Sequence, residues 1–171
     1  LVDVGSEVTS TGKTKSDHNV QDKVNLAVDR MNREIDKMKA NIGDIELPLR
    51  QNVFALVIGI SDYKSRDIPP LQYAVNDAAA VYALLSNNLV GGVPKSNILF
   101  LKNEEAVYTE LKAALGWLVN QGLDDEEVTL IFYYSGHGAP EQDEQGNVRT
   151  AYLIPYDGQP KFIAETAISI D

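Results

Sequence analysis

A short apolar run that ends in a glycine-bracketed histidine places the strongest constraint on this chain. Residues 128–134, Val-Thr-Leu-Ile-Phe-Tyr-Tyr, are apolar, β-branched or aromatic, and the run is too short for a typical helix. It therefore predicts a strand that is buried on both faces. Ser135-Gly136-His137-Gly138 follows at once, and two glycines allow a sharp turn and a close backbone approach to a ligand. Because open α/β sheets place their sites at the carboxyl ends of parallel strands, His137 is the first candidate for proton transfer.

A second apolar run predicts the neighbour of this strand. Residues 53–60, Val-Phe-Ala-Leu-Val-Ile-Gly-Ile, lead into Ser61-Asp62-Tyr63. Between the two runs the pattern predicts a helix over 76–88, a third strand at 97–101 and a second helix within 105–121. This alternation predicts a parallel sheet with right-handed crossovers, in which the two most apolar strands are neighbours near the middle. The loops after both strands would then share one edge of the sheet.

The residues after His137 predict short elements. Residues 141–148 are polar and contain a Gly-Asn pair, which indicates a surface hairpin or loop. Residues 151–155 predict another short strand, followed by a turn at 156–158, and the carboxyl-terminal residues would begin one more helix. No phosphate-binding loop or dinucleotide-binding glycine fingerprint follows any predicted strand.

The amino-terminal residues predict a separate segment. Residues 1–18 are rich in Ser, Thr, Gly, Asp and Lys without periodicity, which indicates a disordered segment or a linker. Residues 19–48 predict an amphipathic helix, capped by Asn19, and a linker to the main domain at 49–171. The apolar stripe of this helix consists of Val24, Val28, Met31, Ile35, Met38 and Ile42. Two interpretations stay open: a helix packed on its own domain, which we favour, or a short coiled coil that meets a partner.

Composition disfavours several classes of function. The formal net charge of −10 disfavours a nucleic-acid partner, and no run is long and apolar enough to span a membrane. The sequence has no cysteine, which excludes disulfides, zinc-thiolate sites and a cysteine nucleophile supplied by these residues. No carboxylate cluster has the spacing of a calcium loop, so we expect neither a metal nor another cofactor. The compartment stays open, with the cytoplasm favoured.

Three motifs, taken in order, resemble one family. They are Phe54-Ala-Leu-Val-Ile-Gly-Ile-Ser-Asp-Tyr63, Ala74-Val-Asn-Asp-Ala78 and Phe132-Tyr-Tyr-Ser-Gly-His-Gly138. Together they resemble the caspase-like cysteine peptidases, and within them the metacaspase and bacterial caspase-like branch. The resemblance implies a caspase-like α/β sandwich, with a mainly parallel central sheet flanked by helices. It also implies an endopeptidase that cuts peptide or protein substrates with a His/Cys dyad.

The resemblance implies a role for three residues of this sequence, and the predicted sheet edge adds Asp62. His137 matches the catalytic histidine, and the Gly138 N–H matches a donor that holds the oxyanion. Asp77 matches an acidic residue of the metacaspase S1 pocket, which implies cleavage after Arg or Lys; its alternative role is a helix cap. The arginine with which animal caspases read Asp has no counterpart, because the nearest upstream arginine is Arg66. Asp62, with Tyr63, would shape the site, or serve only a structural turn.

The resemblance implies a cysteine that this sequence lacks. In caspases the histidine lies about 50 residues before the nucleophile, and only 34 residues follow His137 here. We therefore expect residues 49–171 to be the amino-terminal part of a peptidase domain. A second chain or segment would carry the cysteine, and this chain alone would be inactive. Two alternatives stay open: a non-catalytic caspase-like interaction module, and a hydrolase that uses His137 with Ser61 or Ser135.

Overall fold

The structure is a computed structural model, which describes residues 15–42, 47–123, 127–142, 145–146 and 148–170. Its helices are α1 (Lys15–Ile42), α2 (Ala74–Ser86), α3 (Tyr108–Asn120) and α4 (Ile163–Thr166), with 3-10 turns at Lys95–Asn97, Asn103–Glu105 and Pro160–Phe162. Its strands are β1 (Val53–Gly59), β2 (Ile98–Lys102), β3 (Thr129–Ser135), β4 (Gly138–Gln142), β5 (Val148–Leu153) and β6 (Ile168–Ser169). No helix among these residues combines the length and the apolar character that crossing a bilayer requires.

The centre of the fold is a parallel three-stranded sheet in the order β2-β1-β3. In its register Ala55 of β1 lies opposite Ile98 on one side and Ile131 on the other. The predicted parallel sheet and the predicted pairing of the two most apolar strands are both confirmed. The sequence predicted both of these strands near the middle of the sheet, but only β1 lies between two strands, and β3 is an outer strand.

Helices cover both faces of this sheet, as the α/β prediction required. Side chains that alternate along β1 point to opposite faces. Leu56 and Ile58 pack with Leu111 and other α3 residues, while Val57 on the other face packs with Ala78 of α2. The predicted α/β architecture, a mainly parallel central sheet flanked by helices, is therefore confirmed.

Close packing of α2 on β1 depends on Gly59. A Cβ atom built there would lie 2.7 Å from the Cβ of Ala78 and 2.9 Å from the Cα of Val75. Any larger residue would push α2 away from the sheet. The loop between β1 and α2 would then move as well.

The burial of β3 differs from the prediction. The apolar run was expected to be buried on both faces, but Leu130 is 40% exposed and Phe132 is 43% exposed. The physical reason is position, since β3 is one of the two outer strands of this sheet and no described strand pairs with its other side. The apolar character of the run therefore marks a sheet edge that carries exposed apolar side chains.

The residues after His137 form a second, antiparallel sheet in the order β4-β5-β6. The predicted hairpin over 141–148 is confirmed, although its first strand already begins at Gly138. The further helix expected near the carboxyl terminus is present but short. This helix, α4, has four residues, and the chain then turns into β6, which pairs with β5.

The amino-terminal helix is longer than predicted and packs on the main domain. It begins at Lys15, so part of the expected linker is helical and Asn19 lies inside the helix rather than at its cap. The rest of that linker lies outside the described residues. Val28 packs against Val75 and Ala79 of α2, and Ile35 is only 3% exposed. These contacts support the favoured interpretation, a helix packed on its own domain.

We expect the change Ile35→Ala to lower the free energy of unfolding by about 2–4 kcal/mol, because it empties a buried site on α1. Urea unfolding followed by circular dichroism measures this. Met38→Ala is the matched control: Met38 lies on the same stripe but is 49% exposed, so its truncation should cost less than about 1 kcal/mol. If both variants were as stable as the wild type, and Ile35→Ala formed a smaller oligomer in solution, the coiled-coil interpretation would be favoured instead.

Candidate active site

The carboxyl ends of β1 and β3 meet at one edge of the central sheet. Gly59 lies opposite Ser135 in the register, and the Ile60 N–H donates to the Ser135 carbonyl at 2.9 Å. The segments that follow are therefore in contact: the Tyr63 hydroxyl oxygen lies 2.7 Å from the backbone nitrogen of His137. The predicted meeting of the two loops at one sheet edge is confirmed.

The imidazole of His137 is oriented by a backbone carbonyl. Its Nε2 lies 2.8 Å from the Pro69 carbonyl oxygen, and the ring centroid lies 5.2 Å from that of Tyr63. A carbonyl oxygen can only accept a hydrogen bond, so Nε2 carries the proton in this contact. In the neutral ring Nδ1 is then the acceptor. The arrangement provides a general base whose other nitrogen is already engaged.

The backbone of His137 is bonded on both sides of its Cα atom. Its N–H donates to the Tyr63 hydroxyl, while its carbonyl accepts from the Ile154 N–H at 3.0 Å and lies 2.8 Å from the Tyr134 hydroxyl oxygen. Tyr134 is the penultimate residue of β3, and Ile154 directly follows β5. The histidine is thus held between the two sheets.

Two glycines flank the histidine for different reasons. A Cβ atom at Gly136 would lie 2.5 Å from the Tyr134 hydroxyl oxygen and 2.9 Å from that of Tyr63, so only glycine leaves room for both hydroxyls. Gly138 opens β4 opposite Leu153. The His137 carbonyl accepts the neighbouring hydrogen bond, from the Ile154 N–H that follows β5. In an antiparallel ladder the backbone groups of the next residue point away from the partner strand, so the Gly138 N–H is directed away from β5.

The loop after β1 is held by a side chain that the sequence did not single out. The Asn103 side-chain oxygen accepts from the Ser61 N–H at 2.9 Å and from the Asp62 N–H at 3.2 Å. Asn103 has a positive φ of 41°, a conformation in which asparagine is enriched among non-glycine residues. Only the position of Asn103 just after β2 could have indicated this role, whereas Pro69 lies in the middle of the loop between β1 and α2, where no sequence signal points to its carbonyl.

Ser61 has a structural role that conflicts with its use as a nucleophile. Its side chain is 2% exposed, and its hydroxyl oxygen accepts from the Val75 N–H at 3.1 Å, in the first turn of α2. A buried hydroxyl beneath a helix end leaves no room for a substrate carbonyl. The hydrolase alternative that pairs Ser61 with His137 therefore receives no support.

Asp77 lies on the surface of α2, close to the start of that helix. The helix begins at Ala74, earlier than predicted, and no side chain of its N-cap residue, Tyr73, caps it. The alternative role of Asp77 as the helix cap is therefore wrong, because it lies within the first turn and is exposed. Since Ser61 holds this end of α2, Asp77 and Asp62 belong to the same sheet edge as His137.

Burial sets the protonation of the two tyrosines beside His137. It raises the pKa of Tyr63 above its usual value, and burial together with the nearby Tyr63 raises the pKa of Tyr134 further. Both hydroxyls therefore keep their protons at physiological pH. Among the described residues, no three His, Asp or Glu side chains gather closely enough to hold a metal ion.

Comparison with known protein families matches this architecture. The family model described as Caspase domain matches residues 52–170, which includes the central sheet, both flanking helices and the second sheet. A comparison with curated proteins found no match for the chain. The matched range covers most of the sequence and contains His137 at the edge where β1 and β3 end. The chain therefore belongs to the caspase-domain family of cysteine peptidases.

Proposed function

We propose that this protein is an endopeptidase of the metacaspase type, which cleaves after Arg or Lys with a His/Cys dyad. The observation that carries the proposal is the His137 imidazole, whose Nε2 is engaged by the Pro69 carbonyl and whose Nδ1 is the acceptor in the neutral ring. A non-catalytic interaction module would have no use for a base oriented in this way at the end of β3.

The proposed reaction assigns one step to each group. Nδ1 of His137 accepts the proton of the cysteine thiol, and the resulting thiolate attacks the carbonyl carbon of the scissile bond. The Gly138 N–H, directed away from β5, donates to the oxyanion that forms. The imidazolium then protonates the leaving amine, and a thioester remains. Water hydrolyses the thioester, with His137 accepting the proton of the attacking water.

The cysteine comes, in this proposal, from a second chain or segment, because this sequence has none. The free edge of β3 is the place for it. That edge presents Leu130 and Phe132, which are both exposed, and a parallel strand paired there would cover them. A cysteine at the carboxyl end of such a strand would face His137, one strand away, at the same sheet edge.

Asp77 and Asp62 are the proposed specificity residues for a peptide substrate. Both lie at the edge of the sheet that holds His137, on the first turn of α2 and in the loop after β1. A carboxylate there would pair with the side chain of Arg or Lys at P1, the residue whose carbonyl is attacked. The acidic net charge of −10 also favours the approach of cationic substrates.

We expect the isolated 171-residue chain to show no peptidase activity, and the enzyme completed with the cysteine-bearing segment to cleave peptides. His137→Ala in the completed enzyme should abolish cleavage and leave the thermal unfolding midpoint nearly unchanged, because the imidazole is only partly buried. Cleavage of fluorogenic peptides, with and without a thiol-alkylating reagent, measures this.

His18→Ala is the control, since His18 lies on α1 outside both sheets and should leave cleavage unchanged. Robust cleavage by the isolated chain that resists alkylation would contradict a cysteine nucleophile.

We expect Asp77→Ala in the completed enzyme to lower kcat/KM for Arg-P1 peptides by about 10- to 100-fold, as the loss of a charge-assisted pair does. Stability should change by less than about 0.5 kcal/mol, because Asp77 is exposed. Glu110→Ala is the matched control: Glu110 is an exposed acidic residue in the first turn of α3, on the opposite face of the sheet. A wild-type preference for Asp at P1 would contradict the assignment.

A further inference from the structure

Two tyrosine hydroxyls from different strand ends enclose the backbone that carries His137. Tyr63 lies in the loop after β1 and Tyr134 near the end of β3. The His137 N–H donates to the Tyr63 hydroxyl at 2.7 Å. The Tyr134 hydroxyl oxygen lies 2.8 Å from two carbonyl oxygens, those of His137 and Ile154. Both peptide groups that flank the histidine Cα are therefore held by side-chain hydroxyls.

The protons of this cluster can be assigned one by one. A carbonyl only accepts, so the single Tyr134 hydroxyl proton points to the His137 or the Ile154 carbonyl. That proton can bond only one of the two carbonyls at a time. The Tyr63 hydroxyl oxygen accepts from the His137 N–H. The two hydroxyls therefore act on opposite sides of the His137 Cα atom, Tyr63 as an acceptor and Tyr134 as a donor.

Gly136 lies beside both hydroxyls. It precedes the histidine, and a Cβ atom there would collide with the Tyr134 hydroxyl at 2.5 Å and the Tyr63 hydroxyl at 2.9 Å. Its φ is not among the positive values of the described glycines, which are those of Gly92 and Gly146. Glycine is therefore required at position 136 because a side chain there would occupy the space of the two hydroxyls.

We propose that Tyr63 and Tyr134 are positioning residues, whose hydroxyls hold the His137 backbone so that its imidazole stays on the Pro69 carbonyl. The Tyr63 ring adds a contact with the imidazole at a centroid distance of 5.2 Å. Both hydroxyls stay protonated in the working pH range because they are buried. The catalytic consequence rests on the proposed function, while the positioning itself is a property of this chain alone.

Nuclear magnetic resonance of the 171-residue chain tests the positioning without any activity. The chain has two histidines, so a His18→Gln background leaves the ring signals of His137 alone. Tyr63→Phe keeps the ring but removes the acceptor of the His137 N–H. We expect the exchange of that amide proton to rise at least about 10-fold, since exchange follows local opening. We also expect the ring nitrogen signals to shift from the Nε2–H form towards a mixture of tautomers.

Tyr133→Phe is the matched control, because Tyr133 is the neighbouring tyrosine on β3 and packs on the opposite face of the sheet. It should change neither signal. Tyr134→Phe tests the carbonyl side, and it replaces Tyr63→Phe if that variant loses its cooperative unfolding transition. Unchanged amide exchange and unchanged ring signals in the folded tyrosine variants would overturn the proposal.

The completed peptidase separates this inference from the proposed function. There we expect Tyr63→Phe to lower kcat about 10- to 100-fold with KM within about two-fold, the loss that a misplaced catalytic group produces. Changed ring signals with wild-type kcat would overturn the catalytic consequence of this positioning. Changed ring signals in an otherwise correct assembly that never cleaves peptides would leave the positioning intact and reject the peptidase proposal.

Discussion

The parallel pairing of β1 with β3 is the constraint on which the candidate site depends. Its register sets Gly59 opposite Ser135, so the chain leaves both strands at the same level of the sheet. The residues that follow are consequently within hydrogen-bond distance, as the contact between Tyr63 and the His137 N–H shows. A slip of one residue would move every side chain of β3 to the other face and separate these groups.

The outer position of β3 affects both the association of the protein with another strand and its proposed function. An unpaired strand edge with exposed apolar residues invites association with another strand, which proteins usually prevent. Here Leu130 and Phe132 lie next to the strand end that presents His137. In the proposed enzyme the same pairing that covers these side chains would deliver the nucleophile. Assembly of the sheet and assembly of the dyad would then be one event.

Two helices begin with backbone N–H groups that donate to side-chain oxygens from distant parts of the chain. The first turn of α2 is bonded by the Ser61 hydroxyl, and the Tyr108 N–H at the start of α3 donates to the Asp157 carboxylate at 2.8 Å. These bonds attach each helix start to a loop that follows a strand. The Ser61 bond also explains why α2 starts at Ala74, so that Asp77, a good cap by local preference, lies within the first turn and does not cap the helix.

The sequence by itself determined the alternation of strands and helices, the parallel pairing of β1 with β3, and His137 as the candidate base. Those conclusions depend on apolar periodicity and on glycines, which act locally and leave a pattern in the chain. Only the tertiary structure decided that β3 lies at an edge, that Ser61 is buried beneath α2, and that Asn103 and Pro69 orient the site. The first depends on which strands the whole sheet contains, and the others are side-chain and backbone contacts between residues far apart in the chain; neither produces a local pattern in the sequence.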